Sequence, residues 1–336
     1  MEVPQKCGNP CPHWERVPIG MKAQALRNKW SGTWPSDGTE RCTVDAQDAR
    51  LKWAEYMIKQ PCARRVHRQR HANSISARMP ALYLRQMTSL LPIVRPFAEP
   101  YDAWSYRMAT HEEMMASVHA GNLSLWVNDK LLARVTSEHE AAGHMASRGV
   151  DNGLEGHIDR RLAADAGFQQ WLRAMPVTTP HALQTYQHEF PPDDFSQADQ
   201  AIRMHGATLS PGQLLFHGGH LRFPPDGMLV TQRPLSTTFC PQVALRSAEW
   251  RGKAYVAGQV DLNLLRVNSS ETKAFIFDPN GSEKGHEKEV LFASGTTLIL
   301  RSRQALRSDY TVCRATNYLR TEEKVVTVYL CEVDLL

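Results

Sequence analysis

The chain of 336 residues has no apolar run near the roughly 18 residues a membrane-crossing helix needs, so no membrane span is expected. Its first twenty residues, MEVPQKCGNPCPHWERVPIG, hold no apolar h-region, which predicts the absence of a Sec-type signal. Charge of one sign is also lacking. With 39 basic and 35 acidic residues the net charge of +4 is too mild to predict a nucleic-acid partner. No repeat or low-complexity tract is visible. The seven cysteines are odd in number and irregularly spaced, which predicts mostly free thiols in a reducing compartment.

Metal-ligand spacing is missing too. Cys7, Cys11 and His13 would supply three ligands of a zinc knuckle, with no evident fourth. His139-Glu140-Ala141-Ala142-Gly143-His144 resembles a zinc-protease helix, but its histidines are five apart. On a helix that sets them about 140° apart, against about 40° for the required spacing of four. His217 and His220 lack an obvious third ligand. No metal is therefore expected, and a metal-dependent hydrolase stays a minor alternative.

What is present divides by character. Residues 1–44, rich in Pro, Gly, Cys and Trp, are expected to form an irregular leader. Residues 45–195 are expected to be mainly helical. Asp45 caps a helix with Leu51, Ala54, Met57 and Ile58 on one face, ended by Pro61. A basic cluster follows at Arg64, Arg65, His67, Arg68, Arg70 and His71, either a solvated face or a contact for phosphate or a partner. Helical spacing recurs over 77–95, 111–147 and 155–174, the last burying Ile158, Leu162, Trp171 and Leu172. Residues 175–195 carry four prolines and are expected to be a loop. Ser196 caps a short helix that Gly206 ends.

Beyond about 212 short β-type runs dominate: 213–216, 234–239, 254–260, 275–277, 289–292, 297–301 and 325–333. Helices first and strands second predict an α+β fold with a largely antiparallel sheet.

Three motifs fall in order within this last third. Leu214-Leu215-Phe216-His217-Gly218-Gly219-His220 ends an apolar strand in a polar side chain and two glycines, which let a flat ligand lie against backbone. Leu235-Ser236-Thr237-Thr238-Phe239 places Ser236 and Thr238 on one face of a strand. Glu287-Lys288-Glu289-Val290-Leu291-Phe292 opens a strand with two glutamates pointing the same way. Such a pair can stabilise positive charge with one member and accept a proton with the other. Taken singly, each is more often a turn, a Thr-rich strand or a charged strand entrance.

Together the motifs resemble the ADP-ribosyltransferase superfamily, in particular its Arg–Ser–Glu branch of bacterial toxins and secreted effectors. The resemblance spans roughly 196–305 and rests mostly on LSTTFCPQVAL and EKEVLFASGTTLIL. It implies a catalytic core over 196–336, a two-sheet, mainly antiparallel fold with NAD as co-substrate in the cleft, packed on or preceded by the helical portion. Glu289 would stabilise the oxocarbenium-like state and bond the nicotinamide ribose. Glu287 would activate the acceptor, and Ser236 would hold Glu289. Thr237 and Thr238 would complete the Ser236 strand on the NAD-binding side, and Gly218 would bond the nicotinamide amide through its backbone. Trp250 and Arg251 would meet nicotinamide and phosphates. The loop over 280–286 would help choose the target.

The branch carries arginine where this chain has His217, and histidine there is usual in the diphtheria-toxin and poly-ADP-ribose polymerase branch. Either His217 bonds the NAD ribose or phosphate, or Arg222 or Arg203 compensates, or the site is degenerate and the chain is a binding module. The implied reaction is transfer of ADP-ribose to an arginine, threonine or serine of a target protein, such as host ubiquitin or a small GTPase. The implied setting is an effector secreted without a Sec signal and acting in host cytoplasm, or otherwise a cytoplasmic protein.

Overall fold

The computed structural model describes residues 90–336, apart from 123, 193, 270, 282, 283, 318 and 319. The chain divides into units 1–83 and 84–336, and the described residues belong to the second. The leader over 1–44, the helix expected before Pro61, the basic cluster at Arg64–His71 and residues 77–89 of the next expected helix lie outside the described residues.

Residues 90–95 are not helical. Leu91 bridges Leu209, and Pro92 and Pro96 remove the donors a helix needs here. An exposed arm follows: β1 (Tyr101–Met108), α1 (His111–His119) and β2 (Trp126–Val135), with β1 and β2 antiparallel. The helix expected over 111–147 is thus interrupted. Thr110 and Glu113 form a capping box at its start, and Gly121 at φ +79° turns the chain out of it. The next run, Trp126-Val127, favours a strand.

The helical layer comprises α2 (Glu138–Arg148), α3 (Asn152–Ala164), α4 (Ala166–Ala174), α5 (His181–His188) and α6 (Ser196–His205). Asp165 ends α3 and caps α4, splitting the helix expected over 155–174. Ile158, Leu162 and Trp171 are buried as expected, and the Trp171 indole donates to the Pro92 carbonyl at 2.8 Å. Helix α5 lies where a loop is expected. The prolines bracket it without interrupting it, and Leu183, Tyr186 and Gln187 are buried at spacings of three and four. Ser196 is the first residue of α6 and not its cap; its own main-chain N–H and hydroxyl donate to Asp194.

The strands are β3 (Ala207–Thr208), β4 (Leu214–Gly218), β5 (Met228–Val230), β6 (Leu235–Thr238), β7 (Gln259–Val267), β8 (Lys273–Ile276), β9 (Glu289–Phe292), β10 (Thr297–Asn317) and β11 (Arg320–Leu335). They form one nine-stranded ladder in the order β3-β8-β9-β6-β4-β7-β11-β10-β5. All pairs are antiparallel except β7 with β11. The α+β class holds, and the two expected sheets are joined at one point, Phe216 opposite Thr238 between β4 and β6. Helix α7 (Pro241–Glu249) packs beneath β4 and β7. The strand expected over 254–260 starts only at Gln259, because Gly252 and Gly258, both left-handed, bound a short α8 (Lys253–Ala257). One hydrophobic core runs from Leu91 to Leu335, so the helical layer and the ladder share it. Among the described residues no helix is long and apolar enough to cross a membrane.

Candidate active site

The site forms where the ladder is pinched. Main-chain bonds at Gly219–Asp261 and Gln213–Val267 show that the odd residues of β4 bond β7. The N–H and C=O of the even residues therefore point the other way, towards β6. Phe216 finds Thr238 there, but the ladder stops, so Gly218 has no ladder partner on that side. Its main-chain groups face the gap. Glycine is demanded here by packing as well: a Cβ at 218 would lie 1.6 Å from the Ala244 carbonyl oxygen of α7. Gly219 takes φ +135°, which favours glycine. Buried Asn263 holds this turn by donating to the carbonyls of His217 and Gly219 at 3.2 and 2.8 Å.

His217 spans the gap. Its Nδ1 lies 2.7 Å from the Ser236 carbonyl. A carbonyl only accepts, so Nδ1 carries the proton, and Nε2 of the neutral ring is an acceptor. Burial pulls the His217 pKa down to about 4, against the Ser236 carbonyl and helped by Lys253 and Arg233. With its pKa this low, neutral His217 is not a replacement for the arginine expected at this position. The charges that bear on it are Arg233 and Lys253. Arg203 instead donates to the Ser294 carbonyl, and among the described residues no bond of Arg222 places it at the site.

Glu289 opens β9 and is buried. Ser236 Oγ donates to its Oε1 at 2.6 Å and Gln187 Nε2 to its Oε2 at 2.8 Å. Burial raises its pKa; the two donors oppose the rise, and the charge of Glu287 adds to it. Burial also raises the pKa of half-buried Glu287, against Lys284. Glu287 is not on the strand. It ends a 3-10 turn, Gly285–Glu287, and Lys288 follows in the left-handed region at φ 50°. Lys284 clips the loop to α5 by donating to the Gln187 carbonyl.

The threonines serve the protein's own main chain. Thr238 Oγ1 donates to the Glu287 carbonyl at 2.7 Å, fixing the turn from the face it shares with Ser236. Thr237 lies on the opposite face, buried, donating to the Val290 carbonyl at 2.6 Å. Trp250 is half-exposed beside Phe190, ring centroids 6.4 Å apart. The Arg251 guanidinium sits 4.2 Å and the Lys253 ammonium 5.0 Å from its ring, while Arg233 lies over Phe190 at 5.8 Å. Burial lowers the Lys253 pKa, and Arg233 and Arg251 add to it. Among the described residues none of these three cations forms an ion pair. Lys253, with Arg233 and Arg251 both acting on it, lies with them beside two aromatic rings, a setting that can take an anion carrying flat groups.

Sequence reasoning missed Gln187, Arg233, Lys253 and Asn263. For Gln187 a signal existed in the helical spacing of Leu183, Tyr186 and Gln187; the others carry none. His139 and His144 each bond a different carboxylate, Glu332 at 2.6 Å and Asp151 at 2.7 Å, and His220 bonds Asp261 at 2.6 Å.

No protein-family model matches the chain, and no curated protein does. Similar solved structures include the enzymatic component C2-I of the C2 toxin from Clostridium botulinum, at 9% identity and TM-score 0.32, covering 50% of this chain and 46% of that one. This chain thus spans about half the length of that component. ADP-ribosyltransferase Vis from Vibrio splendidus, in complex with agmatine, matches at 16% identity and TM-score 0.30, covering 60% and 86%. Exoenzyme S from Pseudomonas aeruginosa, in complex with human 14-3-3 protein beta and bound to carba-NAD, matches at 13% identity and TM-score 0.29, covering 57% and 87%. Likenesses of this size carry no assignment; the functional reading rests on the geometry of the site itself.

Proposed function

We propose that the chain is a mono-ADP-ribosyltransferase that cleaves NAD and transfers ADP-ribose to a side chain of a target protein. The observation that carries this is the buried Glu289 carboxylate, held by Ser236 and Gln187 on the strand beside β6, with His217 of β4 bonded to the main chain of the same Ser236. A flat amide ring fits the main chain of Gly218, a pyrophosphate fits Arg233, Arg251 and Lys253, and Nε2 of His217 can accept a ribose hydroxyl. This reading favours His217 as a ribose ligand, with Arg233 and Lys253 supplying the positive charge.

In the reaction the bond between ribose C1′ and the nicotinamide nitrogen breaks, and its electron pair leaves with neutral nicotinamide. Glu289, ionised, stabilises the positive charge that develops on the ribose, as a preorganised charge in a site shielded from water does best. The acceptor oxygen or nitrogen attacks C1′, and its proton passes to Glu287, whose raised pKa suits a base. No metal enters. The acceptor side chain is arginine, threonine or serine, and the setting we favour is a secreted effector, with host ubiquitin and small GTPases the first targets to try.

Nicotinamide release from NAD by the purified chain tests the reading. Glu289→Ala is expected to lose both hydrolysis and transfer, and Glu287→Ala to spare hydrolysis more than transfer. Equal loss of both activities in the two variants would contradict this division of roles. No nicotinamide release by the wild type, with or without cell lysate, would favour the alternative of a binding module, to which the neutral His217 points.

A further inference from the structure

The middle residue of the Glu-Lys-Glu motif stands out as a buried charge. Its side chain is 0% exposed, although it lies in a polar loop beside two glutamates. The ammonium contacts Asp159 Oδ1 at 2.9 Å and Glu155 Oε1 at 3.5 Å, both on α3, and donates to the His286 carbonyl at 2.7 Å. Glu155 is itself tied to α7, accepting from Gln242 Nε2 at 2.5 Å and lying 3.6 Å from Arg246. Gln242 is fully buried and its Oε1 accepts from the Asp151 main chain at the start of α3. The lysine thus plugs into a polar junction between two helices.

The backbone at this lysine is equally unusual. Lys288 and Arg251 are the non-glycine residues at positive φ among the described residues. A side chain with a Cβ is disfavoured there and persists where its surroundings hold it. The left-handed residue lies between the turn that carries Glu287 and the strand that carries Glu289. It sets how one carboxylate is aimed relative to the other. In an uninterrupted strand alternation alone would do this; here the strand starts only at Glu289.

We propose that Lys288 is a positioning residue for the transfer reaction, its ammonium anchored on Asp159 and Glu155 so that the left-handed turn holds Glu287 and Glu289 together at the gap. This rests on the proposed transferase function for its chemistry, but its geometry can be tested without NAD. Lys288 touches neither NAD nor acceptor in this scheme. The ammonium is the part that matters, because without it the turn loses its tether to Asp159 and Glu155, and partly buried Glu155 is left with Gln242 and Arg246 alone.

The test uses the full chain with three substitutions. Lys288→Met removes the charge. Lys288→Gly removes it too but makes positive φ comfortable. Asp159→Asn weakens the anchor at its more exposed partner and keeps the test alive should the first two fail to fold. With NAD alone, Lys288→Met and Lys288→Gly are each expected to lower kcat for nicotinamide release by about tenfold to hundredfold, the scale on which misplaced groups cost rate. KM for NAD should stay within about twofold, the pattern of a lost transition-state interaction. Asp159→Asn should fall in the same direction by less. Wild-type kcat in Lys288→Gly would overturn the proposal by showing that only the backbone matters. A raised KM with unchanged kcat would overturn it by moving the lysine into binding. The second readout is carboxyl-¹³C NMR titration of glutamate, with Glu289 assigned by its loss in Glu289→Gln. The Glu289 titration is expected to move towards the ordinary carboxylate range in Lys288→Met and Asp159→Asn. Curves that overlay the wild type in both would overturn the proposal. If the wild type releases no nicotinamide, the functional reading fails by itself, and this NAD-free titration still decides the role of Lys288.

Discussion

A carboxylate as deeply placed as Glu289 costs the fold something. Its pKa is raised by burial, so the folded protein holds the proton to a higher pH than the unfolded chain does, and ionising it costs stability. Below the unfolded value both states are protonated and the group is neutral in the balance. As pH rises above it, the unfolded chain ionises more readily and stability is lost. Glu289→Gln removes that penalty, and the amide can still accept from Gln187 and donate to Ser236. We expect its thermal midpoint to exceed the wild type's at pH 7–8 and to converge with it near pH 4. The same variant should lose activity by at least about 100-fold, since a neutral amide cannot stabilise a developing cation. A midpoint below the wild type's at pH 8 would sink the account. Arg233 and His217 make a second contrast at this scale. Arg233→Ala should raise KM for NAD by about tenfold or more, the size of a charge-assisted bond to phosphate. Binding should show no histidine step between pH 5.5 and 8 from His217, because that ring ionises only near pH 4. A KM for NAD that follows a group near pH 6.5 and is flattened by His217→Ala would contradict this.

At the scale of elements, β4 can be tested through its packing on α7. Gly218→Ala drives a methyl into the Ala244 carbonyl, and neither partner is a flexible side-chain tip. Overpacking of this kind costs about 1–3 kcal/mol, and each kcal/mol lowers the midpoint by roughly 2–4 °C in a domain this size. Thermal unfolding checks it, and an unchanged midpoint would mean that β4 and α7 are not in contact as described. The same elements explain what sequence could disclose. β9 was legible to the residue, because Glu289-Val290-Leu291-Phe292 is a short apolar strand behind a charged entrance. Its partner motifs were legible because glycine pairs and hydroxyl clusters interrupt apolar runs. α5 was hidden because four prolines outweigh a single turn of helical spacing, yet it delivers Gln187 to Glu289. The β-type run of β10 ends at Arg301, yet the strand extends to Asn317. Much of this hairpin is exposed on both faces, so period-two alternation does not mark it. The aim of Glu287 was hidden too, since left-handed Lys288 depends on Asp159, 129 positions away in the sequence, and not on any local pattern.

For the whole molecule, the decisive question is whether a dinucleotide stabilises it, and how salt changes that. A ligand that binds only the folded state at about 100 times its Kd adds about 2.7 kcal/mol. In a domain this size that is a rise of roughly 5–10 °C. Glu289→Gln is the form to use, since it should bind NAD without consuming it. Arg233 and Arg251 both repel Lys253 in the free protein, so an anion between them relieves that repulsion as well as making new contacts. Their contribution acts through exposed and half-buried charge and should weaken as the screening length shortens from about 10 Å at 0.1 M salt to about 3 Å at 1 M. Nicotinamide, which has no phosphates, should give a small shift that salt leaves alone. ADP-ribose should give a large shift that salt erodes. The expected pattern is therefore a rise with NAD that shrinks in 1 M salt and, separately, at low salt in Arg233→Ala, with the substitution adding little in 1 M salt, where all three charges are already screened. A salt-independent rise with NAD would place the pyrophosphate elsewhere, and no rise at any concentration would remove NAD from the account of this fold.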